Sequence, residues 1–566
     1  MKEFSTEVRV LMAFLLSMGV MVVWGVFFAP KPQPKPAQPA VTTAKAPEPA
    51  PAAAIQAAPA TPTPAPSAAP PKAAEQEKTI VIDNDLYRVE LTNRGGLVRS
   101  WQLRKYVDDA KPPKILDVVH AEVARQVGWP LWICLLDLDD PELETSINTA
   151  LYVVTPEDSP RAPGEVTFAW SDGRVAVTKR LTFEHNYVAD IETSVTLDGK
   201  PLAHAVAWRS GFGDQTVYNA PDNVMVFYRL DAKLQTLAVK KLELLDKAIG
   251  AYRHDGTVDY AGIQDRYFAA AFMPRRAPLS LWRWKVEAEV EREGSKHKIP
   301  VAEMAAGSTA PGPQALRLFV GPKDRGVLAS LNPPMTELVD FGWFGFVAEP
   351  LFLFLKWIHQ YIPNYGWAIA AMTFAINMIL FPLKVKSFHS MQKMQKVAPE
   401  VKAIQEKYKK YSMRDPRKQE MNKEVMAVYS REGINPMGGC WPMLLQMPIW
   451  IALYQMLLVT IELRHAPWMW IRDLSSKDPY YILPILMAAT MYWMQKMTPM
   501  TTTDPAQQRM MQLMPVMMGG MFIIFPVSSG LVLYILTSNV VGMAQQWYLN
   551  KTLPVPVKAR AREGKK

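Results

Sequence analysis

Amide and hydroxyl side chains stand inside stretches that are otherwise apolar: Thr373 and Asn377, then Gln446, then Tyr534 with Thr537, Ser538 and Asn539. None of them titrates near neutral pH, and no nucleophile, base and orienting group occur together among them. Their chemistry is therefore hydrogen bonding and hydration. In a hydrocarbon setting each needs a partner or water, so the segments that carry them must face protein or a wet cavity. Gln446 taken alone reads as a hydrogen bond between packed helices. The group as a whole suggests a site for a polar passenger.

The elements that must position these groups are long apolar runs. They are read as transmembrane helices over 361–383, 435–463, 480–499, 510–526 and 529–549, each long enough for a ~30 Å hydrocarbon layer. Residues 435–463 make a poor inert anchor, since they begin with Asn435-Pro436, contain Gly438-Gly439 and carry Pro442 and Pro448. Residues 464–479 form a short outer loop and 500–509 a cytoplasmic one. Pro526 to Gly530 reads as a tight turn between the last two spans.

Helix rise puts Asn377 ~10 Å, and Gln446, Ser538 and Asn539 ~15 Å, from the same membrane face. Thr373 shares a helix face with Asn377. Polar groups from three helices then meet at one level, below outer halves of aliphatic and aromatic residues. This pattern predicts a hydrophilic groove open on one side and closed on the other, whereas a conducting pore would need polar groups along its whole length.

The remainder of the 566 residues is of several textures, with 49% hydrophobic residues, 48 Pro and a net charge of +10. Residues 1–29 read as an uncleaved N-terminal transmembrane anchor, with Ala44-Lys45-Ala46 leaving cleavage open. Residues 30–77 are a Pro/Ala-rich spacer that cannot bury a core. Residues 78–335 alternate apolar and polar in segments such as TIVID, YRVELTN and VAVTKRLTFE, which predicts a large antiparallel β-sandwich. His185, His204 and His254 lie there at no spacing that reads as a triad or metal cluster, so binding or bracing is expected rather than catalysis. Two cysteines, Cys134 and Cys440, make no disulfide framework, and no cofactor or metal is implied. Residues 336–360 hold Glu349-Pro350 among aromatic residues and read as an amphipathic helix lying at the membrane surface.

Orientation comes from charge. Residues 384–434 carry 13 Lys/Arg against 6 Asp/Glu, among them Lys393, Lys396, Lys402, Lys407, Lys409, Lys410, Arg414, Arg417 and Lys418. The tail 550–566 adds Lys558, Arg560, Arg562, Lys565 and Lys566. Both belong on the cytoplasmic side, which places both termini inside and the β domain outside. Residues 464–479 hold Arg464, Arg472 and Lys477 and run against this assignment, but the two more basic segments decide it.

Within the basic segment, Met391, Met394, Val397, Val401, Ile404 and Tyr408 are spaced as an a/d seam that resumes at Met421, Val425 and Val428. A helical hairpin follows, with Pro399 kinking its first arm or starting a new helix. It either fixes topology alone or also attracts anionic lipid or ribosomal RNA.

The runs INPMGGCWPMLLQMPIWIALYQML, ELRHAPWMWIRDLSSKDPYYILPILM, QKMTPMTTTDPAQQRMMQLMPVM and SSGLVLYILTSNVVGMAQQ resemble the YidC membrane-protein insertase family in its long Gram-negative form, densely over 361–550. RYFAAAFMP and LFVGPKD agree more loosely. The resemblance implies a polytopic α-helical inner-membrane protein with six transmembrane helices, five of them a conserved core, a periplasmic antiparallel β-super-sandwich, and a cytoplasmic coiled-coil hairpin. It also implies a chaperone that accepts nascent membrane proteins from the translating ribosome, alone or with the Sec translocon, and releases them laterally into lipid. One departure matters. The family's first conserved span carries a groove arginine in T-F-x-x-R-x-x-x-x-P-L, where this chain has Asn377. An amide keeps polarity but gives no fixed charge, so electrostatic capture of acidic segments is not expected from this position.

A transporter or channel would need polar residues reaching the outer side and preferably internal repeats, and neither is present. An envelope enzyme would need its chemistry in the β domain. The expected function is a non-enzymatic insertase with no small-molecule substrate.

Overall fold

The computed structural model describes residues 70–553 apart from 137, 218–222, 248, 255, 276–277, 293–294, 412–414, 435–440, 499–504 and 526. The N-terminal anchor, the spacer up to residue 69, Arg414, Cys440, the Gly438-Gly439 pair, and Lys558, Arg560, Arg562, Lys565 and Lys566 lie outside the described residues. The chain divides into a β-rich unit and a helical unit.

In the β-rich unit the described strands form sheets of four, ten and four, and every pairing between named strands is antiparallel. Ordered structure begins before residue 78. Lys72 pairs with Ser171, and Ala74 donates to the Leu151 carbonyl, so the end of the Pro/Ala segment already belongs to a sheet edge. Among the described residues, short α-helices interrupt the strands at α1 (Ala121–Val127), α2 (Pro141–Thr149) and α3 (Arg325–Ala329). Asp140 and Asp324 cap α2 and α3 by accepting from the Leu143 and Val327 N–H groups.

Strand Val175–Phe183 shows why the alternation in sequence becomes a core. Its buried positions are Val175, Val177, Lys179, Leu181 and Phe183, the set that period two places on one face. Lys179 is thereby carried inward, where its ammonium donates to the Leu131 carbonyl at 2.7 Å and reaches the Gly96 carbonyl at 3.5 Å. Burial pulls its pKa down to about 7. The folded state then holds fewer protons than the unfolded state between about pH 7 and the ordinary lysine value. Stability rises with pH across that window and gains nothing from this group below it. Relative to Lys179→Met, the wild-type protein should gain up to about 1.4 kcal/mol per pH unit from pH 7 to pH 10, read from urea unfolding of the full chain.

Two of the histidines named above, His204 and His254, have structural surroundings. His204 is buried, with Nε2 2.8 Å from Thr193 Oγ1 and Nδ1 3.0 Å from the Leu202 carbonyl. The His254 ring lies 4.5 Å from the Tyr228 ring, tilted by 51°. Cys134 is a buried free thiol.

The helical unit runs α4 (Gly345–Tyr361), α5 (Tyr365–Ile379), α6 (Phe381–Lys407), α7 (Arg417–Arg431), α8 (Trp441–Val459), α9 (Ile482–Met497), α10 (Pro505–Ile524) and α11 (Ser529–Thr552). Helix α4 buries Ala348, Phe352, Leu355 and Ile358, one stripe at helical spacing, and exposes Phe346, Leu353, Trp357 and Tyr361. Helix α9 packs against α10 and α11, and α11 packs against α5. A side-chain carbon at Gly519 of α10 would lie 2.6 Å from Ala488 Cβ of α9, so the glycine permits this close approach.

Among the described residues no single helix is both long and apolar enough to cross a membrane, although α5 and α6 meet the test together, bent by 54°. The continuous span read over 361–383 is thus broken. The cause is Pro382 at the second position of α6, which lacks an N–H to continue the ladder. Helix α5 alone is ~22 Å long. Helix α11 has the length, but Thr537, Ser538, Asn539, Gln545 and Gln546 dilute its apolar character. It begins at Ser529, where the sequence starts the last span, and takes in Ser529 and Gly530 of the expected turn. Pro399 lies inside α6, which runs through it as one helix.

Candidate functional site

The break between α5 and α6 builds a polar node. Asn364 caps α5 by accepting from the Trp367 N–H at 3.2 Å, and its own amide donates to the Pro467 carbonyl. About three and a half turns on, Asn377 Nδ2 donates to the Thr373 carbonyl at 2.9 Å and to Ser538 Oγ of α11 at 3.3 Å. The Thr373 hydroxyl donates to its own Ile369 carbonyl. Beyond the bend, Lys384 donates to Asn377 Oδ1 at 2.8 Å and to Gln545 Oε1 of α11 at 3.0 Å. Gln545 Nε2 completes the circuit on the Asn377 carbonyl at 3.0 Å. Ser538 and Gln545 are seven residues apart, two turns of one helix, and therefore share the face that meets α5.

The other polar residues fall on different faces. Gln446 of α8 lies within hydrogen-bonding reach of the Tyr534 hydroxyl. Asn539, one residue after Ser538 and so rotated by about 100°, donates to Thr490 Oγ1 of α9 at 3.3 Å. Thr537 is part-buried. Thr373, Asn377, Tyr534 and Asn539 are 0, 1, 2 and 7% exposed, so they sit behind the wall of the cavity rather than on it.

That cavity has a volume of about 650 Å³. Lys384, Gln446 and Gln545 supply its polar side, and Phe388, Met447 and Trp450 its apolar side. It is amphipathic, and of the groove residues expected from the sequence Gln446 is the one on its wall. Lys384, Gln545 and Thr490 are absent from the residues singled out in the sequence. The spacing carried a signal for two of them, since Lys384 follows Asn377, and Gln545 follows Ser538, by two helical turns.

Helices α6 and α7 pack through Val397, Val401 and Val428, with Met394, Ile404 and Val425 alongside. Lys407 pairs with Glu424 at 2.9 Å and Arg431 with Glu400 at 2.7 Å, solvent-screened surface pairs that contribute little to stability. The hydrophobic seam therefore dominates the packing. Lys393, Lys396, Lys402, Lys409 and Lys410 are exposed, Lys418 is part-buried, and Arg417 lies over the Tyr411 ring at 4.3 Å. Near the middle of α6 the Gln392 amide donates to the Leu553 carbonyl.

A family profile described as 60Kd inner membrane protein matches residues 357–556, and one described as YidC periplasmic domain matches residues 79–354. The protein named Membrane protein insertase YidC in Syntrophus aciditrophicus (strain SB) is 32% identical over 96% of this chain and 99% of its own length. The chain belongs to the YidC membrane-protein insertase family. The YidC of Bordetella parapertussis (strain 12822) is 33% identical over 85% of this chain and 84% of its own length. A crystal structure described as an active YidC insertase with its first transmembrane domain resolved is 19% identical, covers 85% of this chain and 94% of that one, and has a TM-score of 0.36. YidC membership gives an inner-membrane protein with a periplasmic β-rich domain. The two profiles meet inside α4, at residues 354–357.

Proposed function

We propose that this chain inserts nascent membrane proteins into the inner membrane by receiving them in the cavity beside the α5–α6 break. The observation that carries this reading is the juxtaposition of a polar node and an apolar wall in one 650 Å³ cavity. A passenger's polar leading segment meets Lys384, Gln446 and Gln545, while its apolar segment lies along Phe388, Met447 and Trp450 and leaves sideways into lipid. Each charge at mid-bilayer costs ~2.5–3.5 kcal/mol on insertion scales, so shortening the dry path helps passengers with few charges. Methionine suits the wall because it adapts to varied partners.

The activity is non-enzymatic. Six transmembrane segments, cytoplasmic termini and a periplasmic β domain follow from the charge of residues 384–434 and 550–566. The α6–α7 hairpin stands in the cytoplasm as a coiled coil, and its lysines with the basic tail meet the translating ribosome and anionic lipid. The Sec translocon is a partner for passengers with large charged domains. Helix α4 lies in the outer membrane surface, with Phe346, Leu353, Trp357 and Tyr361 toward lipid. Against a conducting channel, α5 and α11 bury Ala368, Ile369, Met372 and Leu531 to Leu533 on the far side of the node.

Site-specific photocrosslinking tests the proposal. A probe at Gln446 or Met447 should capture a ribosome-stalled nascent membrane protein, and a probe at Leu531 should not. Capture at neither cavity position, or equal capture at Leu531, would remove the basis for it.

A further inference from the structure

We infer that Lys384 is the fixed cation of this cavity and that it receives carboxylates on acidic passenger segments, a reading that rests on the insertase function proposed above. Its ammonium has three donors, and the two contacts it makes, to Asn377 Oδ1 and Gln545 Oε1, are both with neutral amides. No carboxylate of a described residue lies within ion-pair distance of it. Amide oxygens orient a cation without neutralising it. A part-buried ammonium in that state is bound more strongly by an anion than by another amide, through a charge-assisted hydrogen bond.

The acceptors are themselves held. Asn377 is fixed by the Thr373 carbonyl and Ser538, and Gln545 by the Asn377 carbonyl. Two helices thus present the ammonium at one point on the cavity wall. Next to it are Phe388, Met447 and Trp450, surfaces for an apolar stretch. The occupant that matches both halves is an apolar segment led by Asp or Glu.

This arrangement also corrects the expectation drawn from Asn377. The span position has no charge, but a charge reaches the same place from two turns further on, across the bend at Leu380. Asn377 is then the acceptor that holds the cation rather than a cation itself. Adding Arg at 377 to the wild-type chain would set two positive groups side by side, which is unfavourable.

The test uses the full chain in proteoliposomes and two single-span passengers that differ only in whether their leading segment carries two Asp or two Asn. Lys384→Gln keeps an amide against Asn377 and Gln545 without the charge. It should lower insertion of the Asp passenger roughly tenfold more than that of the Asn passenger, the equivalent of one charge-assisted bond. Asn377→Arg in the Lys384→Gln background should restore most of the Asp-specific loss. Equal effects on both passengers, or no restoration by the arginine, would overturn the inference. So would a defect that tracks the anionic-lipid content of the vesicles whatever the passenger carries, since it would assign Lys384 to a lipid phosphate. If the wild-type chain fails to insert even the Asn passenger, the fault lies with the insertase reading itself.

Discussion

Glu303→Ala should destabilise the β-rich unit by about 3–5 kcal/mol while leaving most insertion activity in place. Glu303 is fully buried, and its Oε2 accepts from Arg209 Nε at 3.1 Å and Trp284 Nε1 at 2.8 Å. Trp284 is its cross-strand partner, and Arg209 follows the strand that pairs with the other edge of Ser295–Gly307. One carboxylate therefore ties three strands. Removing it strands a nearly buried guanidinium and an indole N–H without acceptors, whereas Glu303→Gln retains one acceptor and should cost less. Protease resistance and urea unfolding of the full chain would show the loss. Insertion is the informative readout, because the proposed chemistry lies in the helical unit. An envelope enzyme working through the β domain would lose its activity along with the fold.

The second large effect is expected at Gly366, in the first turn of α5. A side-chain carbon there would lie 2.2 Å from Trp468 Cδ1, 2.3 Å from Cγ and 2.7 Å from Cβ. Trp468 is buried, sits edge-on to Trp367 at 5.6 Å, and is fixed by reciprocal backbone bonds with Ile471. The ring cannot yield at its far end, because the collision reaches its Cβ. Gly366→Ala should cost about 1–3 kcal/mol or more by overpacking, and should tilt the helix that carries Thr373 and Asn377. Gly520→Ala supplies the contrast. Nothing lies within 4 Å of the added carbon, and exchanging glycine for alanine within a helix is favourable by up to ~1 kcal/mol. Thermal midpoints of the two variants in detergent should move in opposite directions, and crosslinking from Gln446 should fall only in the first.

The period of the sequence carried much of this structure, and its long-range pairings carried little. Alternation in VAVTKRLTF predicted a strand with Val175, Val177, Leu181 and Phe183 inward. The same rule, applied without regard to chemistry, also sends Lys179 inward, and there it is found. The neighbour of a strand is a different matter. Asp190 and Arg317 face each other across adjacent strands, and nothing local to either segment selects a partner so distant in the chain.

At the site, polarity inside apolar runs pointed to Asn377, Gln446 and Ser538. Lys384 was hidden because it follows Pro382-Leu383 and reads as the first of many basic residues that set topology. Gln545 was hidden in the polar end of the last span. Ser538 and Asn539 look like one cluster in sequence, yet helical rotation sends one to α5 and the other to α9. A count of polar residues at a given depth cannot separate them, while pairs two turns apart would have.

Helix α6 is a single rod of 27 residues, ~40 Å long, bent from α5 at Leu380, with Lys384 only ~6 Å from the bend. Leverage then works against transmission. Swinging the far end through ~10 Å shifts the lysine backbone by only ~1.5 Å. On the function proposed above, a ribosome seated on the distal arm would act far from the charge at the root, and one uninterrupted helix would keep docking apart from capture.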